Sequence, residues 1–129
     1  MPIQPVTALA IAAAARLMAE GGVIVFPTDT VYGLACDLRD AAAVERIYRI
    51  KGRPARLPLI AMLAAAEDGS RVAAALPARA RRFMAAFWPG PLTIIVPARE
   101  DLPEVLLGGG RTIGLRIPRP MAWRDCRPC

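Results

Sequence analysis

The chain contains no histidine and no asparagine, one serine (Ser70) and one lysine (Lys51). Without histidine, Ser-His and Cys-His hydrolytic machinery cannot be built. A His-ligated zinc site is excluded as well. Three cysteines, Cys36, Cys126 and Cys129, are too few for a disulfide scaffold. Cys126 and Cys129 have CxxC spacing, which suits redox chemistry or half a metal site. No second pair and no following helix support either use, so no metal site is expected. No apolar run reaches membrane-spanning length, and no positive charge precedes the Ala-rich stretch from Ala8 to Met18. An amphipathic helix in a cytoplasmic protein is expected there.

What is present is a chain of 129 residues, 55% apolar, with a net charge of +6. The length bounds it to one domain with a core of its own. The charge favours anionic partners such as nucleotides or RNA. Sixteen of the seventeen cations are arginine. The exception, Lys51, opens the run Lys51-Gly52-Arg53-Pro54. A compact ammonium on a flexible stem beside a guanidinium suits a phosphate group. A lone lysine at a helix end, kept there by the dipole, reads equally well from this run alone.

Thr7 and Gly21-Gly22 bracket a helix over Ala8–Glu20. Val23 to Phe26 is a continuous apolar run, which predicts a strand buried on both faces. A second extended segment is expected over Val31–Leu38. Asp40 caps a helix whose stripe of Val44, Ile47 and Tyr48 continues to Lys51, placing that cation along the buried edge. Further expectations are a strand over Pro58–Leu63 and helices over Ala64–Ala75 and Pro77–Phe87. A rigid turn at Trp88–Pro91 and a strand over Leu92–Val96 follow. A helical turn over Leu102–Leu107, a mobile loop at Gly108–Gly110 and a strand over Thr112–Ile117 complete the pattern. Strands alternating with helices predict an α/β layered domain over residues 1–120. Residues 121–129 lose all periodicity and read as an unpatterned tail.

Three places can carry chemistry. Thr28-Asp29-Thr30 leaves the end of a strand, where open α/β sheets hold ligands. It reads also as a plain turn in which Asp29 bonds local backbone. Lys51 and Arg53 can neutralise a phosphoryl group during transfer, although no P-loop run is present. Arg116, flanked by apolar residues on the last strand, should face a cleft or a carboxylate. It can fork onto a substrate carboxylate, or simply face water from an edge strand.

Taken in order, Phe26-Pro27-Thr28-Asp29-Thr30-Val31-Tyr32-Gly33-Leu34, Lys51-Gly52-Arg53-Pro54, Pro58-Leu59-Ile60, Trp88-Pro89-Gly90-Pro91-Leu92-Thr93 and Arg116-Ile117-Pro118 resemble the YrdC-like threonylcarbamoyl-AMP synthases. The resemblance covers roughly Ala8 to Pro120. It implies a YrdC-like twisted, mixed open sheet flanked by helices around a basic cleft. It also implies synthesis of threonylcarbamoyl-AMP and pyrophosphate from L-threonine, bicarbonate and ATP, with Mg2+ on the phosphates. The product serves N6-threonylcarbamoyladenosine formation in tRNA, so tRNA-threonylcarbamoylation proteins are implied downstream.

By the same resemblance Thr30 contacts threonine and Arg116 holds its carboxylate. Lys51, Arg53 and Thr112 face ATP. Family members often carry Asn and His where this chain has Leu57 and Met62. They also continue past the Arg-Ile-Pro strand with a Ser-x-Asn motif. The domain is therefore expected to be incomplete at its C-terminus, with weak or no turnover. Alternatives are a non-enzymatic module binding double-stranded RNA or tRNA, supported by the charge, and an inactive fragment.

Overall fold

The computed structural model describes residues 3–119. The expected tail, its CxxC pair and the last residue of the 1–120 domain lie outside the described residues. Helix α1 (Ala8–Ala19) begins where Thr7 Oγ1 accepts from Ala10 N at 3.1 Å. It ends in a Schellman closure, with Gly22 N donating to Leu17 O at 2.8 Å and Gly21 N to Met18 O at 3.0 Å. Gly21 sits at φ 82°, where a side chain would be strained.

Strands β1 (Ile24–Phe26) and β2 (Gly33–Ala35) form an antiparallel pair, Phe26 opposite Gly33. This corrects the expectation of a strand buried on both faces: Val25 is 59% exposed. Only Ile24 and Phe26 turn inward, against Met18 of α1 and the partly buried Met62. A continuous apolar run does not reveal how many layers cover it.

Helix α2 (Ala41–Lys51) starts at Asp40, whose Oδ1 accepts from Ala43 N at 3.1 Å. Its buried face is Ala43, Val44, Ile47 and Tyr48, as the stripe predicts. Lys51 departs from the expectation. It is the last helical residue and is exposed. Gly52, at φ 58°, turns the chain away there, so the lysine's long stem runs into solvent rather than along the core.

The second sheet contains β3 (Ile60–Met62), β4 (Ile94–Pro97) and β5 (Thr112–Arg116) in the order β3-β5-β4. Central β5 runs parallel to β3 and antiparallel to β4. The mixed α/β character is as expected, but the ladders form two sheets among the described residues. Side chains alternate across β5. Ile113 and Leu115 enter the main core with Ala61, Val96, Val44 and Leu106. Thr112, Gly114 and Arg116 occupy the opposite face. Each fully buried aliphatic side chain contributes roughly 1.5–3 kcal/mol, so the core face anchors the strand that presents the other face.

The expected helix over Ala64–Ala75 is a 3-10 helix of six residues, Ala66–Arg71. Asp68 Oδ2 accepts from Ala65 N at 3.1 Å and starts it. The chain then pairs with the end of β4, with Ala73 bridging Ala98 and Ala74 N donating to Pro97 O at 2.9 Å. Pairing outcompetes helix continuation there. Helix α3 (Ala78–Phe87) and a 3-10 turn over Glu104–Leu107 match their expected places. Gly108–Gly110, expected to be a mobile loop, is a tight turn. Gly108 and Gly109 have φ 59° and 78°, and Gly110 N bonds Leu107 O at 3.0 Å. A Cβ on Gly108 would lie 2.7 Å from Arg56 O, so this turn packs directly on the loop before β3.

Candidate functional site

The face of the β3-β5-β4 sheet turned away from the main core and the loop after β1 meet at Arg116. Arg116 stands at the carboxyl end of β5, opposite Met62 of β3, where open α/β sheets gather ligands. Its guanidinium is held from three directions. Nε donates to Gly90 O at 3.1 Å, Nη1 to Thr30 Oγ1 at 3.3 Å, and Nη2 to Asp29 Oδ1. Only 7% of Arg116 is exposed. The Trp88–Pro91 turn supplies Gly90. It is fixed by Trp88 Nε1 donating to Leu92 O at 2.8 Å and by Gly90 N donating to Ile117 O at 2.8 Å.

The loop carrying Asp29 and Thr30 is shaped by Thr28. Its Oγ1 accepts from Thr30 N at 3.2 Å and Val31 N at 3.1 Å, and its hydroxyl donates to Val31 O. Thr28 Oγ1 also lies 3.1 Å from Thr30 Oγ1. This is a side-chain turn of the kind threonine favours after a strand. It directs the two following side chains toward β5.

Side chains from distant segments are thereby brought together. Thr30 and Arg116, 86 positions apart, meet. Arg116 does face a carboxylate, but it is the chain's own Asp29. The plain-turn reading, with Asp29 on local backbone, is corrected: its hydrogen bond goes to Arg116. Asp29 stood within the Thr28-Asp29-Thr30 segment, but neither its neighbours nor the resemblance gave it a distant partner or a role of its own. A carboxylate between two threonines is a weak signal when its partner lies 87 positions away.

The cationic end is built differently. Arg53 Nε donates to Leu57 O at 3.3 Å and Nη2 to Pro58 O at 3.1 Å. Tyr48 donates its hydroxyl to the same Leu57 O at 2.9 Å. Burial, partly offset by the nearby Arg53 charge, pushes the Tyr48 hydroxyl pKa up, which keeps it a donor. Arg53 therefore braces the loop into β3, while Lys51 presents its ammonium to solvent. The Gly108 turn rests on this loop and leads to Thr112, which is exposed at the start of β5. Lys51 and Arg53 thus belong to the end where β3 and β5 begin, and Thr30 and Arg116 to the end where they finish. Thr112 and Arg116 share a face and are about 13 Å apart along the strand.

Between them Gly114 carries no side chain and is buried beneath its neighbours. A Cβ on Gly114 would come within 2.8 Å of Ile60 Cγ2 and 3.0 Å of Thr93 Cγ2. Ile60 and Ile95, opposite Gly114 on the two neighbours, are exposed. Leu57 is also exposed, and Met62 packs on the Met18 cluster. A shallow hollow along α1, lined by Leu9, Ala13, Arg16 and Leu17 among others, contains none of the candidate residues. No group of three or more metal-ligating side chains exists among the described residues. No helix among them is long and apolar enough to cross a membrane.

Comparison with known proteins gives a consistent picture. The sequence profile of the Sua5/YciO/YrdC family, described as "Telomere recombination", matches residues 16–124. A threonylcarbamoyl-AMP synthase of Pyrococcus abyssi is 44% identical over 105 residues, covering 81% of this chain and 31% of the relative. One from Halorhodospira halophila is 41% identical over 114 residues, covering 88% of this chain and 60% of the relative. The crystal structure of P. abyssi Sua5 complexed with L-threonine superposes with a TM-score of 0.90 at 38% identity, covering 95% of this chain and 36% of that one. E. coli YciO superposes with a TM-score of 0.81 at 34% identity, covering 96% and 60%. The chain spans about a third to three-fifths of the length of these relatives.

Proposed function

The chain belongs to the Sua5/YciO/YrdC family, and we propose that its sheet face serves a threonylcarbamoyl-AMP synthase reaction. Arg116 and Thr30 receive L-threonine at the carboxyl end of β5. Lys51, Arg53 and Thr112 attend the ATP phosphates at the other end. The observation that carries this reading is the buried Arg116, held by Thr30, Asp29 and Gly90 at a strand end yet still owning unused donors.

The chemistry asks little of side-chain nucleophiles. After threonine's ammonium has lost a proton to solvent, the neutral amine joins bicarbonate, giving a carbamate and water. A carbamate oxygen then attacks the α-phosphorus of ATP, and pyrophosphate leaves. The reacting groups are both anionic, so positioned cations and donors lower the barrier. Lys51 supplies a mobile ammonium for the phosphates. Arg53 acts largely by fixing the loop beneath them, because its donors already hold Leu57 and Pro58 carbonyls. Thr112 offers a hydroxyl on the same face.

Mg2+ fits as the counter-ion that ATP brings with it. The described residues offer no carboxylate cage for a resident ion, and magnesium commonly rides on substrate phosphates. The product would be consumed by tRNA-modifying proteins in the cytoplasm, and the basic charge of the chain suits a tRNA partner.

The test follows labelled bicarbonate into an adenylate. Threonine- and ATP-dependent incorporation is expected, with loss in Lys51→Met and Arg116→Met. A folded chain that binds neither L-threonine nor ATP would overturn the proposal.

A further inference from the structure

Helix α3 carries none of the residues discussed above, and most of it is uncovered. Met84 is buried and Ala80 partly so; the other eight residues are exposed. From Val72 to Ala98 the charged residues are Arg79, Arg81 and Arg82, with no acid among them. None of the three pairs with a carboxylate among the described residues. Arg81 Nε donates to Leu76 O at 3.0 Å. Cations at the start of a helix oppose its dipole, and α3 begins at Pro77 with neither a side-chain cap bond nor an acid in its first turn. Local rules are broken in this way where function asks for it. Phe83 and Phe87, one turn apart, are 42% and 55% exposed, and their rings stack with centroids 6.0 Å apart. At 3.6 residues per turn, Arg79, Arg82, Phe83, Ala86 and Phe87 fall within one arc of roughly 140°.

Unpaired guanidiniums beside exposed rings match a surface that offers phosphates above hydrocarbon. We propose that α3 docks on an anionic phospholipid bilayer, with Arg79 and Arg82 among the headgroup phosphates and Phe83 and Phe87 at the acyl boundary. Charge complementarity selects this occupant. A second copy of the chain would bring the same unbalanced arginines face to face. Protein and nucleic-acid partners are held through many hydrogen bonds, yet Pro77 to Pro91 contains no Ser, Thr, Asn, Gln, Asp, Glu or Tyr. The two rings, 22° from parallel, also close on each other the slot that a base would need. This face is separate from the sheet face and does not rest on the reaction proposed for it.

The test sediments the full chain with vesicles of phosphatidylcholine alone or of phosphatidylcholine and phosphatidylglycerol in equal parts. Each arginine near an anionic surface adds about fivefold in affinity. Wild-type protein should therefore bind the mixed vesicles at least about tenfold more tightly than the neutral ones. Arg79→Gln/Arg82→Gln should weaken binding to the mixed vesicles about tenfold or more, and Phe83→Ala/Phe87→Ala about tenfold. Ala86→Glu places an acid at an exposed alanine, where no packing is lost, and should weaken binding at least about fivefold. Arg16→Gln/Arg49→Gln removes the same net charge from exposed positions on α1 and α2 and should change binding less than about threefold. Circular dichroism before each measurement ensures that folded protein is compared.

A wild-type chain that binds neither vesicle, or both equally, overturns the proposal. So does Arg16→Gln/Arg49→Gln weakening the mixed vesicles as much as Arg79→Gln/Arg82→Gln, which marks a general attraction of the basic chain. Ala86→Glu binding like wild type also overturns it. A single-stranded RNA whose binding falls in the α3 variants, while all of them bind the mixed vesicles alike, overturns the lipid surface in favour of nucleic acid.

Discussion

Removing Arg116 should reveal how strongly this site is tied to the stability of the fold. Arg116→Met deletes three hydrogen bonds and leaves Asp29, 10% exposed, without its cation. Breaking a buried pair from one side costs about 3–5 kcal/mol. Against a total stability of roughly 5–15 kcal/mol, that is a large fraction. It corresponds to a fall in Tm of roughly 10 °C or more for a domain of this size. Asp29→Asn should cost about 1.5–3 kcal/mol, because the amide oxygen can still accept but the charge is gone.

The double change Asp29→Asn/Arg116→Met removes both charges together. It should therefore cost at least about 1.5 kcal/mol less than the sum of the single changes, well outside additivity error. Urea unfolding followed by circular dichroism measures all three. Arg111→Met, at an exposed arginine, is the control and should stay within about 0.5 kcal/mol. Single changes that add, or an Arg116→Met cost under about 1 kcal/mol, would show that the pair is not energetically coupled and that the geometric argument is wrong.

Three further expectations separate the two ends of the site. Lys51→Met should leave Tm nearly unchanged, since Lys51 is exposed, yet weaken ATP about tenfold in a titration. Arg53→Lys should cost about 1 kcal/mol, because an ammonium cannot hold both the Leu57 and Pro58 carbonyls. Trypsin should then cut after Arg56 faster, and an unchanged rate would refute the bracing role. Burial, reinforced by Asp37 and Asp40, raises the Cys36 thiol pKa from 9.0 to about 11. Its folded pKa lies above the unfolded one, so the associated stability is whole below pH 9 and fades as pH rises toward 11. The urea midpoint should be flat from neutral pH to about 8 and fall above about 9, and peptide mapping should find Cys36 slow to alkylate at mildly alkaline pH. Fast alkylation there would contradict the burial argument.

The local code of this chain was legible. Thr7 and Asp40 cap the helices that their positions announce, and Gly21, Gly22 and Gly52 end them, because caps and left-handed turns act over a few residues. The stripe of Val44, Ile47 and Tyr48 gave the buried face of α2 for the same reason. The motifs around Thr30, Lys51 and Arg116 were enough to indicate the family. What only the tertiary structure decided were long-range partners. Ala73 pairs with Ala98 and shortens a helix that local propensity favours. Val25 is exposed because no second layer covers its face among the described residues. Arg53, which reads as a free cation, is drawn onto the carbonyls of its own loop. Above all, Asp29 finds Arg116 across 87 positions. A charge inside a fold must be matched by whatever the topology brings beside it, and no local pattern can state what that will be.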